Sequence, residues 1–75
     1  MPEDWSREEV EATVADYFEM FEAELRGDDY IKAVHRRGLA RVLKTRSEAS
    51  IEFKHQNISA VLVDLGAFYI EGYKP

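Results

Sequence analysis

Two histidines and their acidic neighbours are the residues of this chain whose types first suggest chemistry. Glu52 and His55 stand three positions apart, which puts both on one face of a helix, as in helical di-metal sites. Such a site needs that pair twice, with further carboxylates, and the only other histidine is His35. Both histidines fall on the apolar side of helical patterns. Hydrogen-bonded core histidines are therefore the better reading, and no metal site is expected. Nucleophilic catalysis would need a base and an oriented acid around a pocket, and no nucleophile motif is present. Neither a P-loop nor a dinucleotide fingerprint occurs, so no cofactor and no catalytic residue is expected. On this reading the domain by itself is not an enzyme.

Recognition chemistry is better represented. Lys32, Arg36, Arg37, Arg41, Lys44, Arg46 and Lys54 outweigh Glu48 and Glu52 between positions 32 and 55, a net of +5. Clustered cations of this kind bind phosphates by releasing condensed counterions. Gln56 and Asn57 carry the paired donor and acceptor that match adenine in the major groove. The expected DNA footprint is Arg36, Arg37, Arg41, Lys44, Arg46 and Lys54, with Gln56 and Asn57 reading bases. The bland alternative is a solvated helix surface, and the two glutamates weaken any contact with phosphate. A competing class is a protein or intramolecular docking domain. Phe53 lies opposite the apolar stripe of its helix, either covered by the C-terminal tail, the favoured reading, or exposed as an interface anchor.

Three helices have to position these side chains. The first is expected over residues 6–26. Ser6 and Glu9 have capping-box spacing, and Trp5 and Val10 are placed as a hydrophobic staple. Val10, Val14, Tyr17, Phe18, Phe21 and Leu25 form its apolar stripe. Glu8, Glu11, Asp16, Glu19 and Glu22 are expected on the opposite side, and Gly27 is the stop. The second helix is expected over residues 30–44, capped by Asp28 or Asp29. Ile31, Val34, Leu39 and Val42 should be its buried side, with His35 and Gly38. A mid-helix glycine costs up to about 1 kcal/mol, which a closely packed neighbouring helix would explain. The third is expected over residues 48–65, with Ser47 as cap, Ile51, Ile58, Val61, Leu62 and Leu65 as core, and Gly66 as stop. Its exposed side should show Glu52, Phe53, Gln56, Asn57 and Ser59. Residues 67–75 read as an extended tail or short turn packing back on the bundle.

These elements predict an all-α fold, a small three-helix bundle with a short extended C-terminal tail. The tight link between the second and third helices also permits a helix-turn-helix geometry. Seventy-five residues make one domain near the lower size limit for a self-sufficient core. Cysteine is absent, which excludes disulfides and thiolate metal sites. No signal segment and no membrane-length apolar run is apparent, so a cytoplasmic protein without a membrane partner is expected. Charge is strongly divided. Residues 1–29 hold eleven acids against two bases, and residues 30–75 hold eight bases against four acids. The two halves can thus face different partners.

The stretch RSEASIEFKHQNISAVLVDLG, followed by YIEGYKP and preceded by VADYFEMFEAEL and HRRGLARVL, is similar to a bacterial N-terminal helical module. That module occurs in McrA-like HNH restriction endonucleases and in proteins with a NO VEIN-type domain. The resemblance implies the accessory N-terminal part of a larger protein, one that acts on DNA or defends against foreign DNA, with a downstream effector domain as partner. The HNH signature is absent, so no catalytic residue carries over. The expected role is DNA targeting for such a nuclease, with the docking domain as the alternative.

Overall fold

The computed structural model describes residues 4–75, leaving Glu3, one of the acids counted above, outside the described residues. Helix α1 spans Arg7–Arg26, α2 Lys32–Leu43 and α3 Glu48–Asp64, and a single 3₁₀ turn covers Glu71–Tyr73. Each helix packs on the other two, and the turn packs on α3. The fold is a small three-helix bundle.

Local chemistry explains the helix ends. Ser6 Oγ accepts from the Glu9 amide at 3.1 Å, and Glu9 Oε1 accepts from the Ser6 amide at 2.9 Å, closing the capping box. Ser47 Oγ accepts from the Ser50 amide and caps α3. Gly27 (φ 76°) and Gly66 (φ 72°) take the left-handed conformation that ends α1 and α3. Beyond them the amides of Asp28 and Ala67 reach back to the carbonyls of Ala23 and Leu62. Helix α2 starts later than expected, with Ile31 as an N-cap that supplies no side-chain hydrogen bond. The aspartates proposed as caps are not used in this way, since Asp28 pairs with Arg26 at 2.9 Å and Asp29 precedes an extended segment.

The α2–α3 link is strained. Lys44 has φ 55° and ψ −47°, and the Thr45 amide donates to the Leu43 carbonyl across it, making a γ-turn that a side chain disfavours. Replacing the exposed Lys44 by glycine removes the steric penalty. We expect Lys44→Gly to stabilise the domain by about 1 kcal/mol, net of the extra chain entropy. In a domain this small that raises the thermal midpoint by roughly 4–8 °C. A midpoint at or below wild type in a calorimetric scan would show that the turn carries no strain.

The core differs in rotation from the apolar stripes. Tyr17, Met20, Ile70 and Tyr73 form one buried cluster, and Leu39, Leu43 and Ile51 another. Thr13, His55 and Ser59 are fully buried with them. Val10, Phe18 and Leu25 of the α1 stripe stay exposed, as do Ile31, Val34 and Val42 of α2 and Val61 and Leu65 of α3. Gly38 is also exposed, and a Cβ there would meet nothing, so no helix approaches it within the domain. Polar groups explain the rotation. A buried hydroxyl, imidazole or carboxylate is costly unless partnered, whereas an exposed valine costs little. The bundle settles where Asp16, Tyr17, His55 and Ser59 meet one another. Asp16 and Ser59, both expected outside, therefore face inward.

The tail completes the core. Ile70 and Tyr73 are fully buried, and the Ile70 amide donates to the Tyr17 hydroxyl at 3.0 Å. Lys32 Nζ donates to the Gly72 carbonyl at 2.7 Å and lies 4.0 Å above the Tyr73 ring. Burying side chains of this size contributes roughly 1.5–3 kcal/mol each.

Candidate functional site

Three features compete as the functional site. The first is a carboxylate held between both histidines. Asp16 Oδ1 lies 2.8 Å from His35 Nδ1, and Asp16 Oδ2 lies 3.2 Å from His55 Nε2, the second without hydrogen-bond alignment. One residue from each helix meets here. Burial pushes the Asp16 carboxyl up, but the contacts with His55 and His35 outweigh it, and the net direction is down. The Tyr73 ring lies 4.9 Å from that of His55, tilted by 41°, and burial with the nearby Glu52 charge pushes its hydroxyl up to about 12. His55 is fully buried and Asp16 nearly so, so this cluster ties helices together and presents nothing to a substrate. Among the described residues no group of His and acidic side chains suits a metal ion.

The sequence reading kept both histidines in the core but missed Asp16. The signal was present in the register. Thr13, Asp16, Tyr17 and Met20 recur at i, i+3, i+4 and i+7, so a histidine-seeking carboxylate lay on the face that turns inward.

The second feature is the set of cations. Arg46 Nε and Nη2 bind the Glu9 carboxylate at 2.7 and 2.9 Å, Nη2 also donates to the Asp4 carbonyl, and the guanidinium lies 4.7 Å above the Trp5 ring. That fork draws the Glu9 carboxyl down to about 2, helped by the Ser6 amide. Arg46 is only 10% exposed, so it is a structural residue. Arg36 lies 3.4 Å from Glu48 and 3.8 Å from Glu52, and Lys54 sits 4.8 Å above the Trp5 ring. Arg37, Arg41 and Lys44 remain exposed, with no ion pair among the described residues. Arg37 and Arg41, spaced i, i+4, share the outer face of α2, and Lys44 follows in the turn beyond it. The expected six-cation footprint is thus divided: three outward, and three against the body of the domain.

Gln56 and Asn57 separate in the same way. Asn57 lines a groove with Trp5, Phe53 and Lys54, whereas Gln56 is half-buried and absent from its lining. They flank Phe53 and do not form one reading edge.

The third feature is apolar. Phe53 is 61% exposed, so the tail does not cover it. It walls an open groove of about 540 Å³ with Trp5, Val10, Arg46, Lys54 and Asn57. Further large apolar side chains stay open on α1 (Phe18, 39% exposed, and Leu25), on α3 (Val61) and just beyond it (Leu65, 74%, and Phe68, 83%). The α1 stripe identified in the sequence is only partly used by the core. No helix among the described residues is long and apolar enough to cross a membrane.

No protein-family description, curated protein or solved structure matches this chain.

Proposed function

We propose that this domain is a protein-docking module that binds through the Phe53 groove and the exposed apolar side chains of α1 and α3. The observation that carries this reading is the number of large apolar side chains left open on a domain this small, among them Phe53, Phe18, Val61, Leu65 and Phe68. Monomeric domains seldom leave a contiguous apolar surface of several hundred Å² uncovered unless a partner uses it. Aromatic anchors in a groove, with Lys54 and Asn57 at its lip, have the composition of an interface centre and its rim.

A second reading, the accessory DNA-targeting domain of a restriction or defence-type nuclease protein, rests on Arg37, Arg41 and Lys44. Magnitude decides its rank. Three phosphate contacts give a salt slope of roughly −2.7, against about −5 for the full six-cation footprint. A surface of that strength assists an attached domain more than it targets one alone.

One experiment weighs the two. A photo-crosslinking amino acid replaces Phe68 in one version of the protein and Arg41 in another, and both are irradiated in the cells that make it. The docking reading expects position 68 to give a protein adduct, identified by mass spectrometry, that Phe18→Glu abolishes. Failure of position 68 to give such an adduct overturns it. A nuclease-sensitive adduct from position 41 would favour the second reading.

A further inference from the structure

We infer that residues 67–75 are a pH-gated strap, closed over the Asp16–His55 contact at neutral pH and released when His35 and His55 both carry a proton. This goes beyond the docking reading and does not depend on it.

The segment is attached in a way that lets it move as a unit. Gly66, with φ 72°, stands at its base. Beyond the Ala67 amide, no backbone–backbone hydrogen bond joins it to a helix among the described residues. Three bonds to helix side chains hold it instead. The Tyr17 hydroxyl accepts from the Ile70 amide, Glu24 Oε2 accepts from the Glu71 amide at 3.3 Å, and Lys32 Nζ donates to the Gly72 carbonyl. Segments held this way open locally at a lower free energy than the helices they rest on. What this one covers is polar. Among the described residues, the buried side-chain nitrogens and oxygens without an aligned hydrogen bond are Asp16 Oδ2, both ring nitrogens of His55 and the Tyr73 hydroxyl. They belong to three neighbouring residues, since Asp16 lies 3.2 Å from His55 and the Tyr73 ring 4.9 Å from the imidazole. Sealing such groups in a core is costly, and an open strap returns them to water.

Charge supplies the trigger, because two imidazoles share one carboxylate. Burial raises the Asp16 carboxyl, but the contacts with His55 and His35 hold it below its ordinary value, so it is ionised. A first proton on the histidines makes an ion pair with it. A second finds no free counter-charge. From α2, Lys32 lies over the Tyr73 ring and Arg36 faces the Tyr73 hydroxyl, and both are cations. From α3, Glu52 is already balanced by Lys32 at 3.7 Å and Arg36 at 3.8 Å. From α1, Glu24 is held by the Tyr30 hydroxyl and the Glu71 amide, and the Tyr17 hydroxyl is bonded to Ser59. On the strap itself, Glu71 pairs with Lys74 at 3.6 Å. Tyr30, edge-on to His35, and Tyr73 have hydroxyls that burial pushes up, so both stay neutral. His55 is fully buried beneath Tyr73 and takes the second proton where water reaches it. The open form therefore binds more protons than the closed one, and the population shifts to it as pH falls.

The test is amide hydrogen exchange of the whole chain, followed by NMR from about pH 7.5 to about pH 5, which spans histidine titration and stays above that of the carboxylates. Each rate is divided by the unfolded-chain rate at the same pH, so that protection is read. In wild type the Ile70 and Tyr73 amides should lose protection at least about tenfold over this range, while the Met20 amide in α1 keeps its own. The His55 ring-proton shifts should move over the same interval. His35→Gln leaves Asp16 with a single imidazole and should keep the strap closed down to about pH 5. Ile70 protection that stays flat with pH overturns the gate. A loss shared by Met20 is unfolding of the bundle and overturns it too, as does a His55 ring that does not titrate while protection falls. His35→Gln opening as wild type does is equally fatal; should that variant not fold, the wild-type protection and ring shifts decide alone.

Discussion

Asp16→Ala should cost the domain about 3 kcal/mol or more, the penalty for removing one partner of a buried charged contact. A domain of this length has only on the order of 4–11 kcal/mol to lose. The variant removes the carboxylate that lies 3.2 Å from the buried His55 Nε2 and frees His35 from its 2.8 Å bond. Since the three residues come from three helices, the loss loosens the whole bundle. Asp16→Asn keeps the size and one oxygen, and should lose less. Urea titration at neutral pH measures both; a loss under about 1 kcal/mol for Asp16→Ala would show that the cluster is incidental.

The same contacts set the acid response. The Asp16 carboxyl is held below its ordinary value in the folded state. Its stabilising contribution is therefore fully present above the unfolded carboxylate range and disappears as pH falls through the lowered folded value. Glu9, drawn down to about 2 by Arg46, behaves alike over the interval from its ordinary 4.5 to about 2. Wild type should thus lose stability steadily below about pH 4. Asp16→Ala should show a shallower decline, since only Glu9 then contributes.

Arg46→Ala should be the second large loss, because the guanidinium holds the Glu9 carboxylate through two bonds while covering an indole face. Arg46→Lys should rescue little, since an ammonium cannot reproduce the planar fork. Glu9 titration by NMR gives an independent reading: its value should rise from about 2 towards 4.5 when Arg46 is lost. If stability and Glu9 titration are unchanged while duplex DNA affinity falls, Arg46 belongs to a nucleic-acid surface after all.

What the primary structure alone determined is whatever depends on partners three to five residues away. Ser6 with Glu9, Ser47 with Ser50, and the glycine stops at Gly27 and Gly66 all close over that distance, so three helices and their order were legible. So was the burial of His55, whereas His35, expected with it, is only part-buried. Only the tertiary structure decided which residues remained for function. Arg46 finds Glu9 across 37 positions, Tyr17 finds Ser59 across 42, and the Ile70 amide finds Tyr17 across 53. No spacing rule encodes such pairs. Periodicity could not choose among apolar residues either, because the chain carries more of them than a three-helix core covers. The buried polar contacts made that choice by fixing the rotation of each helix. Phe18, Phe53, Leu65 and Phe68 were left outside, and three of six expected DNA contacts were drawn in.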